Sequence, residues 1–430
     1  MLMFFGEKTD CCDIIISMIA IGVLLGLLTL MILVTAHEFG HFLMARKNGV
    51  EVEEFGICFP PRAIAWRKVN GKWRRLKKSE WKKAPGEGTI ISLNWLPIGG
   101  FCQMKGENDD ATEKGSFGKA TFWGKTKILF GGVLANWIVA AVIFTALAFV
   151  GMPHFMENQF QIDVDTEIYI TKPVTLENVK KDSPADLAGL REGDVIRAMR
   201  VLKCDEDDED CSEGLNERRE IMVMDDLLEF DSTYAGETVY VTYERDGMAS
   251  TTELTLNTAD KEYILGAAID GDVLYMSSWS SPIVGIGTTI QLTGETFKGV
   301  GQLLVDLFGG LIKQVNVDSN VREDGAKDLE KAGDSVTGPI GIVGYLFPNI
   351  AQSGGRSIAF FVALISVSLA CMNVLPIPAL DGGRWLMIAI ARLRKKKLSK
   401  ATEEKIVGRS FIVILILAVI IAILDIMRFF

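Results

Sequence analysis

Histidine is scarce in this chain, three in 430 residues, and cysteine is little commoner, with seven. Seven cysteines in no framework spacing exclude a disulfide scaffold. No internal repeat is visible either, which argues against the repeated halves usual in transporters. A cleavable leader is not expected: the first apolar run is too long for a signal core, and no small-residue cleavage site follows it. Apolar residues, by contrast, are abundant at 49% of the chain.

That apolar content is gathered into runs that soluble domains rarely contain. The four longest are Ile14 to Ala36, Ile128 to Val150, Ile358 to Leu375 and Phe411 to Leu424. A bilayer core takes about 20 mostly apolar residues as a helix. The first two runs meet that length outright. The third is interrupted by Ser366, Ser368 and Asn373, and the fourth is short, yet both fit as spans. The expected fold class is a polytopic α-helical membrane protein of about four transmembrane helices, with a membrane-associated β-hairpin and an inserted extracytoplasmic α+β domain.

Charge separates by segment. Residues 46–127 hold 17 Lys/Arg against 9 Asp/Glu, residues 151–280 hold 11 against 30, and residues 391–410 hold 8 against 2. Basic loops mark the cytoplasmic side. Both basic segments are therefore expected in the cytosol and the acidic segment outside, with one helix crossing on either side of it. This divides the chain into an N-terminal membrane half (1–150), an external domain (160–275), a surface amphipathic helix and loop (276–357) and a C-terminal membrane half (358–430). Within the third part Ile283 to Lys313 reads as the helix and Asn316 to Asp334 as a polar loop. Glu87 to Glu107 reads as a hairpin, with strand-like runs Thr89–Trp95 and Phe101–Met104 around Pro97 and Gly99-Gly100. The acidic run Asp205 to Asp210 reads as a solvated surface loop. A Cys204–Cys211 disulfide or bound calcium are the chemical alternatives there.

Two of the three histidines, His37 and His41, stand four apart at the end of the first apolar run. Helical spacing puts both imidazoles on one face, within reach of one ion. Glu38 between them can take a proton from a metal-bound water, and Zn2+ is the expected ion. Ionisable groups inside a membrane run are costly and usually functional. Tetrahedral zinc still needs a third protein ligand. His154 is rejected, because a helix of about 20 residues sets it about 30 Å from His37 and His41. Asp381 is the better candidate: it ends the third run at the matching depth, in a segment broken by Pro376 and Pro378 and opened by Gly382 and Gly383. A helix-capping role is the bland alternative for Asp381.

Several motifs together carry a family resemblance. They are the His37-Glu38-x-x-His41 helix, Gly132-x-x-x-Asn136, the stretch Asn373-x-x-Pro376-x-Pro378-x-Leu380-Asp381-Gly382-Gly383, and Gly338-Pro339-Ile340-Gly341-Ile342. Ser183 to Ile196 adds a signature similar to that of a PDZ module: a short helix, a Gly-Asp turn, then a strand. From about residue 31 onward the chain resembles the site-2 proteases, and among them the bacterial regulator-of-sigma-E type. The resemblance implies an intramembrane zinc endopeptidase in the bacterial inner membrane. It would cut transmembrane segments of single-pass membrane proteins, such as an anti-sigma factor or remnant signal peptides. His37, His41 and Asp381 would bind zinc, Glu38 would be the base, Asn136 and Asn373 would contact the substrate backbone, and the 87–107 hairpin would be a re-entrant β-loop. The expected partners are such substrates, the lipid bilayer and a peptide C-terminus at the PDZ module, with no nucleic acid. The competing class is a non-proteolytic membrane scaffold that binds partners through that module.

Overall fold

The computed structural model describes residues 6–69, 71–81, 88–156, 158–203, 215–261, 263–314, 318–334, 336–395 and 397–429. Cys204, Cys211 and the acidic run between them lie outside the described residues. Two compact units emerge, one formed by Met1–Thr145 with Gly285–Phe430 and the other by Ala146–Val284.

The first unit opens with the long helix α1, Gly6–Lys47. Asn48 and Gly49 end it: Gly49 takes φ +74°, and Val50 N–H returns to the Ala45 carbonyl at 2.9 Å. Three strands follow, β1 (Val52–Val69), β2 (Lys72–Arg75) and β3 (Ile90–Met104), in sheet order β2-β1-β3. The expected hairpin is not what forms. Glu54 pairs with both Gln103 and Ile90, and Ile57 with both Gly100 and Leu93, so the two halves of β3 flank the first half of β1. Bending at Gly99-Gly100 makes this interleaving feasible, because Gly99 adopts φ +72°. The helix α2, Phe122–Val150, then runs through apolar sequence with one interior asparagine.

The second unit carries a seven-stranded sheet. Its strands are β4 (Met152–Pro153), β5 (Glu167–Val179), β6 (Val195–Lys203), β7 (Leu215–Glu220), β8 (Thr238–Arg245), β9 (Met248–Thr255) and β10 (Ala267–Met276), ordered β4-β10-β5-β6-β8-β9 with β7 also on β6. Helices α3 (Pro184–Leu187) and α4 (Met224–Thr233) cover a core that includes Leu176, Ile196, Phe230, Val239 and Val241. Ser183 caps α3 by accepting from the Asp186 amide, and Asp194 in the following turn is fully buried against Arg245. The Ser183–Ile196 stretch therefore has the expected local form of helix, glycine turn and strand.

The rest of the first unit is helical: α5 (Ser281–Gln314), α6 (Ser319–Asp334), α7 (Pro339–Gly341), α8 (Phe347–Gln352), α9 (Gly355–Val374), α10 (Asp381–Leu393) and α11 (Lys400–Phe429). The polar segment read as a loop is helix α6. Gly310 and Gly325 let it lie close on α5, and Lys313 Nζ bonds Asp328 at 2.7 Å. Among the described residues four helices are long and apolar enough to cross a membrane: Ile19–Lys47, Phe122–Val150, Gly355–Val374 and Lys400–Arg428. They correspond to the four apolar runs. The fourth is longer than its run because helix continues through the basic residues before it.

Candidate metal centre

Helices α1 and α2 cross at glycine. A Cβ on Gly131 would fall 2.7 Å from the Gly40 carbonyl oxygen, so only bare backbone fits on either side. One residue on, a Cβ on Gly132 would stand 2.6 Å from His37 Nε2 and 2.7 Å from His41 Nε2. Gly132 thus leaves the space that both imidazoles fill. Asn136 lies one turn further along the same face, fully buried, with Nδ2 3.5 Å from His37 Nδ1. The Gly132-x-x-x-Asn136 spacing is explained by these two contacts with the histidine pair.

Asp381 reaches the same place from the start of α10. The helix α9 ends at Val374, and the next turn is tight: a Cβ on Gly382 or Gly383 would strike the carbonyls of Val374 and Ile377. Pro376 and Pro378 keep this stretch from continuing the helix. The result sets Asp381 Oδ2 3.0 Å from His37 Nε2 and 3.2 Å from His41 Nε2, while the two Nε2 atoms are 3.1 Å apart. Among the described residues these three form the one group of metal-ligating type whose ligand atoms lie within 4.8 Å of one another.

Donor chemistry fits a cation at the centre of this triangle. His41 Nδ1–H donates to the Ile128 carbonyl at 2.8 Å, which leaves the Nε2 lone pair bare and facing Asp381. Ligands at roughly 2.0–2.2 Å around tetrahedral zinc stand roughly 3.3–3.6 Å apart, close to the spacings here. If His37 ligates through Nε2, its Nδ1 carries the proton and needs an acceptor. Asn136 Oδ1 is buried with no hydrogen-bond partner among the described residues. A half-turn of the Asn136 amide sets that oxygen against His37 Nδ1–H and satisfies both atoms.

Glu38 sits beside the trio, with the Cys102 backbone of β3 next to its carboxylate. Two further glycines bring β3 to this depth: Gly99 packs on Val34, and a Cβ on Gly100 would stand 3.3 Å from Thr35 Oγ1. Asn373 is half-buried, and its Nδ2 donates to the Leu369 carbonyl of its own helix at 3.0 Å. His154 belongs to the other unit, where Nε2 lies 3.4 Å from Asp225 Oδ2, and it is not in the trio.

Motif reading does not disclose a polar network that holds α10 in place. Arg384 donates to the Glu107 carbonyl at 3.1 Å and lies 3.5 Å from Glu403, which accepts from the Asp109 amide. Asp109 in turn binds Lys125 Nζ at 2.5 Å and the Leu398 amide at 3.1 Å. The start of α2, the loop after β3, α10 and the start of α11 are joined through these side chains. Similarly, Asp425 inside α11 accepts from the amides of Gly338 and Gly341 at 3.1 and 2.8 Å, so the Gly338–Ile342 motif seats a buried carboxylate.

The profile of peptidase family M50 matches residues 25–418 of the chain. A zinc metalloprotease of Shouchella clausii, RasP, is 23% identical over 481 residues, covering 93% of this chain and 97% of that protein. Proteins from Clostridium perfringens and a Nostoc species are each 26% identical, over 406 and 403 residues. They cover 94% and 92% of this chain, and 98% and 93% of their own lengths, and both carry names that propose a zinc metalloprotease.

Proposed function

The chain belongs to peptidase family M50, and from that premise we propose that it is a zinc-dependent endopeptidase cutting peptide bonds within the transmembrane segments of single-pass membrane proteins. The observation that carries this reading is the meeting of Asp381 with His37 and His41, two histidines set on a helix long and apolar enough to span a bilayer. Zinc held there would polarise a water at its open fourth position and lower that water's pKa toward neutrality.

The protein's own groups supply the rest. Glu38 accepts the water proton and delivers it to the departing amine, which is the general-base then general-acid sequence. The close seating of β3 on α1 keeps the Glu38 carboxylate beside the trio. A helical substrate hides its carbonyls in internal hydrogen bonds, so it must unwind locally before attack. The β3 segment Gly100–Met104 pairs with β1 on one side, and its other edge suits an unwound substrate strand. Asn373, half-buried and bonded to its own helix, suits contact with the freed substrate backbone. Asn136 suits that role less well, because it is buried against His37.

The basic segments 46–127 and 391–410 support a topology in which the trio's end of α1 faces the cytoplasm of a bacterial inner membrane and the acidic segment lies outside. That unit reads as a PDZ-like module binding peptide termini, and anti-sigma factors or remnant signal peptides suit the site as substrates. A scaffold without proteolysis would leave no role for a half-buried glutamate beside three ligand atoms.

The test uses full-length protein in detergent micelles with a single-pass reporter. Wild type should hold about one zinc per chain and cut the reporter. Glu38→Gln should keep the metal and lose cleavage by at least about 10³-fold. Cleavage by Glu38→Gln, or wild type free of zinc yet fully active, would overturn the reading.

A further inference from the structure

The cations that this reaction leaves unused gather at one end of the membrane-embedded unit. A cavity of about 420 Å³ opens between the start of α2 and the end of α10, and its walls include Lys119, Phe122, Lys125, Arg392, Lys395 and Lys397. Its one carboxylate, Asp109, is already engaged by Lys125 Nζ and the Leu398 amide. Among the described residues Lys119, Arg392, Lys395 and Lys397 have no carboxylate partner. Four such cations around one cavity repel one another and leave it attractive to an anion.

We propose that this cavity binds the phosphate of an anionic phospholipid headgroup. Three features select a lipid over a soluble anion. Ile388, on the same face of α10 as Arg392, lines the cavity and gives it an apolar wall beside the charges. Phe122 lines the cavity, and the Arg392 guanidinium lies over its ring at 4.7 Å, so the wall is apolar on one side and cationic on the other. Trp123, 68% exposed at the first turn of α2, marks the depth of the membrane interface, where headgroups lie. Basic pockets between membrane helices on the cytoplasmic side are typical headgroup seats.

The site has a bearing on catalysis through α10. That helix of 13 residues carries Asp381 at one end and Arg392 in its last turn. A headgroup held at the second end steadies the helix that presents the third metal ligand at the first.

The test reconstitutes the full chain in nanodiscs of phosphatidylcholine, with and without 20–30% phosphatidylglycerol, and counts retained lipid by native mass spectrometry after mild detergent release. Wild type should retain phosphatidylglycerol over phosphatidylcholine at least tenfold above their bulk ratio. The R392Q/K395Q/K397Q triple variant should lose that preference while keeping the wild-type far-ultraviolet circular dichroism, which reports an intact fold. The control K298Q/K327Q, with charges removed elsewhere on the same unit, should keep it. Equal retention of both lipids by wild type, or equal loss in the control, would overturn the proposal. So would displacement of the lipid by millimolar glycerol 3-phosphate, since a soluble phosphate would then suffice.

Discussion

His41 Nδ1 spends its proton on the Ile128 carbonyl, while His37 Nδ1 faces an amide whose oxygen is otherwise unsatisfied. The two imidazoles thus meet partners on opposite sides, one the backbone and one Asn136. Removing an orienting partner commonly costs 10–100-fold in metal affinity. Asn136→Ala should therefore weaken zinc binding by about 10–100-fold in chelator competition, and Asn136→Asp, which keeps an acceptor, should restore most of it. A change in KM alone, at unchanged zinc affinity, would instead return Asn136 to substrate contact. Gly132→Ala should act more directly, because its Cβ would fall on both imidazoles; the expected outcome is zinc content well below one per chain. At this scale His37, Glu38 and His41 were legible because helix periodicity is local. Asp381 was legible because prolines and glycines at a span's end announce a broken helix, and because depth removed His154. The link between Asn136 and His37 was not, since nothing in a spacing of 99 residues shows that two side chains share a face.

Elements tell a different story. Hydropathy alone located the four apolar helices, because crossing a bilayer constrains length and composition together. Composition misled at α6, where a run rich in Asp, Glu and Lys forms a helix because one side, with Leu329 and Ala332, packs inward while the charges face water. The interleaving of β1 and β3 depends on long-range register, which alternation cannot reveal. A cost is visible in α4. Asp231 is 5% exposed with Oδ1 unpartnered among the described residues, and burial pushes its carboxyl up to about 7. The native state then holds a proton that the unfolded chain releases between about pH 4 and 7. Stability from this group is accordingly greatest at the acid end and falls as pH rises through that window. Asp231→Asn should remove the pH dependence and slow amide exchange across α4 at pH 8, by the equivalent of about 1–3 kcal/mol. Unchanged exchange at pH 8 would show that Asp231 is solvated in solution.

For the whole molecule, the His37, His41 and Asp381 trio and the polar network both tie early residues to late ones. Arg384, Glu403, Asp109 and Lys125 went unread because in a chain dense with charge no single pair stands out, and partners as far apart as Asp109 and Glu403, 294 residues, meet only in the fold. A ligand that binds the folded state alone stabilises it by about 4 kcal/mol at a thousandfold excess over Kd. Stripping zinc with a chelator should therefore lower the unfolding midpoint of the full chain by several degrees, and restoring zinc should recover it. A midpoint indifferent to chelation, with the metal shown to be gone, would mean that the trio adds nothing to the folded state.

His37 and Asp381 touch across 344 residues, and that separation acts as a clock. With Asp381 as third ligand, a ribosome adding 5–20 residues per second needs roughly 20–70 s to supply it after His37 has been made. For that interval the membrane already contains the enzyme's own first helices, but no complete metal site near them. Activity cannot precede the synthesis of nearly the whole chain, so the freshly inserted helices of the nascent enzyme are shielded from its own chemistry.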